Sequence, residues 1–336
     1  MLNVEKYKNT IDGILKELPE RSQDVLSRRI GFGGNKETLE KIGKNYNITR
    51  ERVRQIENKA VEAIQRSKKY TNLKEPFLKV KNFIDLNGGL KKEDILEILL
   101  TPKPEERPYL YFLLKIGNPF FYQPDSPDLY SFWKTKDNAP DYAKIISDYL
   151  VKMMEKEKRL FNKEELIELS YKEAPGIIKI KIPKNYIASY IEVTKKIEEN
   201  PFGEFGPAYW PEVTPKGIRD EAYLVLKKEG NPMHFGDLAK IIEENLQRPV
   251  NKNTLHNELI KNEKFVLVGR GIYALREWGY EDGTVRDIIE KILDARGSLE
   301  KNEILKEVQK RRLVKETTII LNLQYFNKDN KGRYVL

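Results

Sequence analysis

Between Thr49 and Lys59 the sequence reads TRERVRQIENK, which sets Arg50, Glu51, Arg54, Gln55 and Asn58 on one side of a helix and Val53 and Ile56 on the other. The polar set has the chemistry of base reading. An arginine guanidinium pairs two acceptors of guanine, a glutamine amide pairs adenine, and a glutamate carboxylate accepts from the cytosine amine. An ordinary solvated face would carry Lys and Glu at paired spacings. Here Arg50, Glu51, Arg54 and Gln55 crowd the first two turns, the part of a recognition helix that reaches base edges. Double-stranded DNA is the partner this pattern fits.

Such a face needs elements to hold it. Thr49 is a natural N-cap, because its hydroxyl can accept from the free amides of the first turn. The inner face is expected to continue through Ala60, Ala63 and Ile64. Upstream, Leu39 and Ile42 give the preceding helix an apolar side, and NYNI makes a tight connection in which Ile48 plugs the junction. Two short helices with a capped second one make a helix-turn-helix.

The stretch LPERSQDVLSRRIGFGGNKETLEKIGKNYNITRERVRQIENKAVEAIQR, residues 18 to 66, resembles region 4 of bacterial primary-type sigma factors, with TLEKIG, the turn and TRERVRQIE all in register. The resemblance implies a domain that reads the −35 promoter element and docks on RNA polymerase. By matching position it implies that Arg50, Glu51 and Gln55 face bases and that Arg52, Arg54 and Lys59 serve mainly the phosphate backbone. Ser22 departs from the family, which usually carries a charged residue there. Only 17 residues precede residue 18, too few for the aromatic-rich domain with which a sigma factor melts a promoter. The expectation is a reading head without the opening tool.

Charge is distributed to match. The 336 residues hold 61 Lys and Arg against 52 Asp and Glu, a formal charge of +9, and a pI near 9.2. Residues 1 to 74 alone carry 17 basic and 10 acidic side chains, so +7 of the excess lies in the first fifth and an anionic partner is expected there. Residues 75 to 282 hold 32 against 34, which gives little counterion-release binding. Cysteine is absent, excluding disulfides and thiolate metal sites and fitting a reducing interior. No apolar run approaches a membrane span and no signal peptide is visible, so a cytoplasmic, nucleoid-associated protein is expected.

From residue 75 onward a weak unit recurs four times. GGLKKEDILEILL, RLFNKEELIEL, NPMHFGDLAKII and GSLEKNEILKEV each set an apolar residue shortly before an amphipathic helix, and each is followed by an aromatic-rich hairpin-like end. The last two units align best, as VNKNTLHNEL and VKETTIILNL, each leading to a Gly-x-Tyr-x-Leu strand. Such units describe winged helices of about 55 to 70 residues. The fold class is therefore mainly α with small β-hairpins (α+β), an N-terminal helix-turn-helix followed by tandem winged-helix domains. Loosened composition places the boundaries at 1–74, 75–136, 137–213, 214–280 and 281–336.

Residues 217 to 280, with MHFGDLAKII and FVLVGRGIYALREWGY, resemble the HARE-HTH winged helix found in the RNA polymerase delta subunit, in some restriction endonucleases and in chromatin proteins. That resemblance implies an alternative, a delta-like polymerase accessory subunit or a nucleoid-architectural protein with loose DNA binding. The last unit closes with NKGRYVL, so a displacement role through an acidic tail like that of the delta subunit is not expected. In the last unit Lys310, Arg311 and Arg312 precede the expected recognition helix and would meet phosphates. The middle units are expected to space or dock rather than read, and Trp133, Trp210 and Trp278 to pack the wings.

No catalytic constellation emerges. The two histidines, His234 and His256, lack metal-ligand spacing, and GFGGNKET lacks the Gly-Lys-Ser/Thr of a phosphate-cradling loop. A non-enzyme with no metal, no cofactor and no small-molecule substrate is expected.

Overall fold

Short apolar-periodic stretches, broken by glycine, proline and asparagine, give short helices, and the chain is built from them. The computed structural model describes residues 1–336, apart from the side chain of Leu246. The N-terminal part runs α1 (Glu5–Leu15), α2 (Glu20–Ile30), α3 (Leu39–Tyr46) and α4 (Arg50–Arg66), then a 3-10 turn over Lys68–Leu73. Next come α5 (Lys74–Leu86), β1 (Leu90–Lys92), α6 (Glu93–Leu100), α7 (Arg107–Ile116), β2 (Phe121–Gln123) and β3 (Phe132–Lys134). The three strands form an antiparallel sheet in the order β1-β3-β2. This helix, strand, two helices and hairpin is the order of a winged helix.

Helices α8 (Ala139–Glu157), α9 (Lys163–Ile178) and α10 (Lys184–Val193) follow, with a hairpin of β4 (Ile197–Glu199) and β5 (Phe205–Pro207). The winged-helix order returns with α11 (Ile218–Glu229), β6 (Met233–His234), α12 (Phe235–Leu246), α13 (Lys252–Lys261), β7 (Phe265–Gly269) and β8 (Ile272–Leu275), whose sheet is β6-β8-β7. The chain finishes with α14 (Val285–Arg296), α15 (Lys301–Arg311), α16 (Glu316–Leu323) and the β9 (Asn327–Lys328) and β10 (Tyr334–Val335) pair. An isolated bridge from Leu299 to Tyr334 supplies the missing third line of that last sheet. No described helix is long and apolar enough to cross a membrane.

The chain divides into two compact units, Met1–Ile197 and Glu198–Leu336. That division falls inside the stretch 137–213 that sequence assigns to one module. Packing explains it. The outer face of α10 lies on β1, with Tyr190 donating to the Gly88 carbonyl at 3.0 Å and the buried Lys91 ammonium 2.5 Å from Glu192 and 3.1 Å from Ser189. The three helices therefore belong with the preceding sheet, and the hairpin begins the next unit.

In the first unit one core runs through the N-terminal helices and the following module. Ile11 and Ile14 of α1, Leu26 and Ile30 of α2, and Ala60 and Ile64 of α4 share it with Val80 and Ile84 of α5 and Leu110, Phe112 and Leu113 of α7. The boundary near residue 74 is no loose linker, since the 3-10 turn runs directly into α5 and buries Leu73 completely. In the second unit α11, α12 and α13 close on Tyr223, Leu238, Leu255 and Tyr273, while α14, α15 and α16 close on Ile288, Ile292, Ile304 and Ile319. Trp133 is buried in the first core, whereas Trp278 packs partly buried against β7 and β8.

Candidate nucleic-acid interface

The turn that aims α4 is fixed by four residues. Asn47 takes the left-handed conformation (φ 52°, ψ 44°) that ends α3, and the Ile48 amide returns to the Gly43 carbonyl at 3.0 Å. A side chain cannot stand at Gly43, because its Cβ would come 2.7 Å from the Ile48 carbonyl oxygen. Thr49 then caps α4, its Oγ1 accepting from the Arg52 amide at 3.2 Å. Val25, Ile42 and Val53 form a small core beneath, with Leu39, Tyr46, Ile48 and Ile56 packed against it. The helix-turn-helix expected from sequence is present in register.

Thr49, Arg50, Glu51, Arg52, Arg54, Gln55, Asn58 and Lys59 line the outer side of α4, all of them exposed. Two internal clamps order this surface. The Arg54 guanidinium grips both oxygens of Glu51, at 2.9 and 2.7 Å, and Arg52 donates to the Gln55 side-chain oxygen at 3.1 Å. The hydrogen bond from Arg54 holds the Glu51 carboxyl below its usual range, and Glu51 in turn raises Arg54. Gln55 also helps hold the Glu51 carboxyl down by a side-chain hydrogen bond, so these four side chains form one ordered set. Among the described residues Arg50 and Lys59 make no side-chain hydrogen bond or ion pair, so their donors are available to an anion or a base edge.

One α4 position differs from the sequence expectation, since Ala63 is exposed, and Glu57, which the sequence pattern assigns to neither face, is buried. At about 100° per residue Glu57 lies some 40° from Val53, inside the apolar arc, while Ala63 lies about 80° off on the uncovered side. The apolar character of Ala63, not its angle, set it on the expected inner face. Glu57 is compensated by Lys115 of α7 at 3.2 Å and Arg29 of α2 at 3.5 Å, as a buried carboxylate must be. Gln65 adds a hydrogen bond to the Ile116 carbonyl at 2.9 Å. Helix α4 is thus bolted to the neighbouring winged helix, a link that no local spacing of residues signals.

In a winged helix the third helix is the natural reader, and four such helices follow α4. Two have no free face. Leu110, Phe112, Leu113, Leu114 and Ile116 of α7 are buried in the shared core, and α10 buries Ile187, Ser189, Tyr190 and Ile191. In the second unit α13 exposes Lys252, Asn253, Asn257, Ile260 and Lys261, and α16 exposes Thr317, Ile320 and Leu321. Lys310, Arg311 and Arg312 lie at the end of α15 and in the turn before α16. Lys310 lies 2.9 Å from Glu307, Arg311 lies 3.2 Å from Glu281, and Arg312 donates to the Gly283 carbonyl. Burial pushes the half-buried Arg312 guanidinium below its usual pKa. The two arginines hold the segment that enters this module instead of standing free toward a phosphate.

The histidines are structural. His234 accepts from the Gly236 amide at 3.1 Å to cap α12, and His256 stacks on Phe235 with ring centroids 4.6 Å apart. Among the described residues no group of three potential ligands is arranged to hold a metal ion.

The geometry defines a helix-turn-helix with an ordered arginine-rich outer face. Residues 14–66 match the family model described as sigma-70, region 4, and residues 218–278 match the HARE-HTH model, whose description names a restriction endonuclease HTH domain. The chain is similar to RNA polymerase sigma factor SigA1 of Synechococcus elongatus, 42% identical over 69 residues that make up 20% of this chain and 17% of that protein. It is likewise similar to sigma factor SigA of a Bacillus species, 39% identical over 72 residues, 21% of this chain and 19% of the relative. Sigma factor RpoD of Helicobacter pylori is 40% identical over 78 residues, 23% of this chain and 12% of that protein. The chain thus spans less than a fifth of the length of these relatives.

Proposed function

We propose that this is a DNA-binding, transcription-related protein whose α4 reads promoter-type duplex sequence, and which contacts RNA polymerase. The observation that carries the reading is the pre-ordered outer face of Arg50, Glu51, Arg54, Gln55 and Asn58 on a capped second helix. Arg50, Glu51 and Gln55 meet base edges in the major groove, and Arg52, Arg54 and Lys59 meet phosphates. The protein acts through five stretches, 1–74, 75–136, 137–213, 214–280 and 281–336, none of them an enzyme, in the bacterial nucleoid, with the helices of 137–213 serving the first compact unit and its hairpin the second. Because α7 and α10 are buried between modules, the first two winged helices brace the head and do not read.

Salt titration of duplex binding by the full-length protein tests this. Contacts to 6 to 10 phosphates should lower affinity by about 10³ to 10⁵ between 50 and 200 mM salt. The match of residues 218–278 to the HARE-HTH model favours a second reading, an accessory subunit of RNA polymerase that binds protein first. A nearly flat salt response, with polymerase retained after nuclease treatment, would select it.

A further inference from the structure

We infer that the outer face of α16 docks a protein partner, specifically an acidic amphipathic segment. Where a DNA-reading third helix carries cations, α16 and the residues up to Asn327 carry none, in contrast to Arg50, Arg52, Arg54, Lys59 and Arg66 of α4. Its surface instead sets large apolar side chains among the uncharged Thr317, Thr318 and Gln324. Leu321 is 63% exposed and Tyr325 59%, beside Ile320 on the helix and Leu313 in the turn before it. Four large apolar groups left in water within thirteen residues are a cost that a partner removes.

Charge selects the partner. Lys315, at the start of α16, has no acidic partner among the described residues. At the other end the Arg286 guanidinium lies 5.1 Å from the centroid of the Tyr325 ring, and the exposed Lys328 follows three residues on. Opposing them are Glu316 and Asp287, and Asp287 is tied into the capping box of its own helix. Exposed apolar groups with cations at both ends fit a segment whose apolar side chains are flanked by carboxylates. Duplex DNA fits poorly, because the phosphate term needs cations along the helix and Arg311 and Arg312 are bound internally.

The test uses the full-length protein and two synthetic peptides of about 20 residues, long enough for a helix. They share one leucine face, and one carries glutamate and the other lysine on the polar side. Fluorescence anisotropy should show binding of the glutamate peptide, weakened by added salt and by about tenfold or more in Leu321→Glu, with no binding of the lysine peptide. Lys315→Glu should weaken it too. Both positions are exposed, so thermal unfolding should not change, and Ile320→Thr gives a milder second variant. Equal binding of the two peptides, or binding of neither, would overturn the inference. So would loss of duplex affinity in Leu321→Glu, or a dimer that this substitution dissolves. Duplex binding through α4 should survive every one of these variants, which separates failure here from failure of the DNA-reading proposal.

Discussion

Glu57→Gln isolates the charge that fastens α4 to its neighbour. The carboxylate is buried and lies 3.2 Å from Lys115 and 3.5 Å from Arg29. Removing one partner of a fully buried pair costs about 3 to 5 kcal/mol, because a stranded charge remains. Here the surviving cations keep 23% (Arg29) and 29% (Lys115) of their side-chain surface exposed and can turn to water. Glutamine also still accepts a hydrogen bond, so the expected loss is nearer to about 2 kcal/mol. For a unit of this size that lowers Tm by about 4 to 8 °C. The control is Glu62→Gln on the same helix, an exposed residue 3.8 Å from Arg66, where a change within about 0.5 kcal/mol is expected. Thermal and urea unfolding of the full-length variants measure both. If the two substitutions destabilise equally, the buried three-way link is not what holds the helix.

Further outcomes follow from the same geometry. Thr49→Ala removes the cap accepting from Arg52 and should cost about 0.5 to 2 kcal/mol in urea unfolding while weakening binding of all duplex sequences alike. Gly43→Ala places a Cβ 2.7 Å from the Ile48 carbonyl and should destabilise by about 1 to 3 kcal/mol, with duplex binding lost alongside; an unperturbed Tm would contradict it. The hydrogen bond from Lys6 at 2.6 Å, aided by Lys79, holds Glu75 at about 2 instead of 4.5. A depressed carboxyl adds stability above its unfolded value and loses it as pH falls, so Lys6→Ala should flatten the fall of Tm between pH 4.5 and 2. Leu113→Ala, in the core shared by α7 and the head, should cost about 2 to 5 kcal/mol and lower duplex affinity by unsettling α4.

The helix-turn-helix was legible because three local signals agree there: the 3.6-residue apolar period of α4, the Thr49 cap and the short NYNI turn. The hairpins were legible from their aromatic-rich ends, as at Phe121 to Trp133 and Phe265 to Leu275. What escaped was long-range. Glu57 and Lys115 are 58 positions apart, and Lys91 and Glu192 are 101 apart, so no window of sequence joins them. The same holds for α7 and α10, whose apolar faces look like ordinary cores until the neighbouring module is found covering them. At the C-terminus Lys310, Arg311 and Arg312 form a run that suggests phosphate, yet Glu281 and Glu307 lie near enough in space to bind two of the three.

The most direct measurement is selection of duplexes from a random pool by the full-length protein and by Arg50→Ala. Full-length protein is needed because the head shares its core with residues 75 to 116. The wild type should enrich one short motif, and Arg50→Ala should lose preference at a single G·C position, by about 1 to 3 kcal/mol, while keeping the rest. Enrichment of the same motif with undiminished preference by Arg50→Ala would contradict the assignment of α4 as the reader.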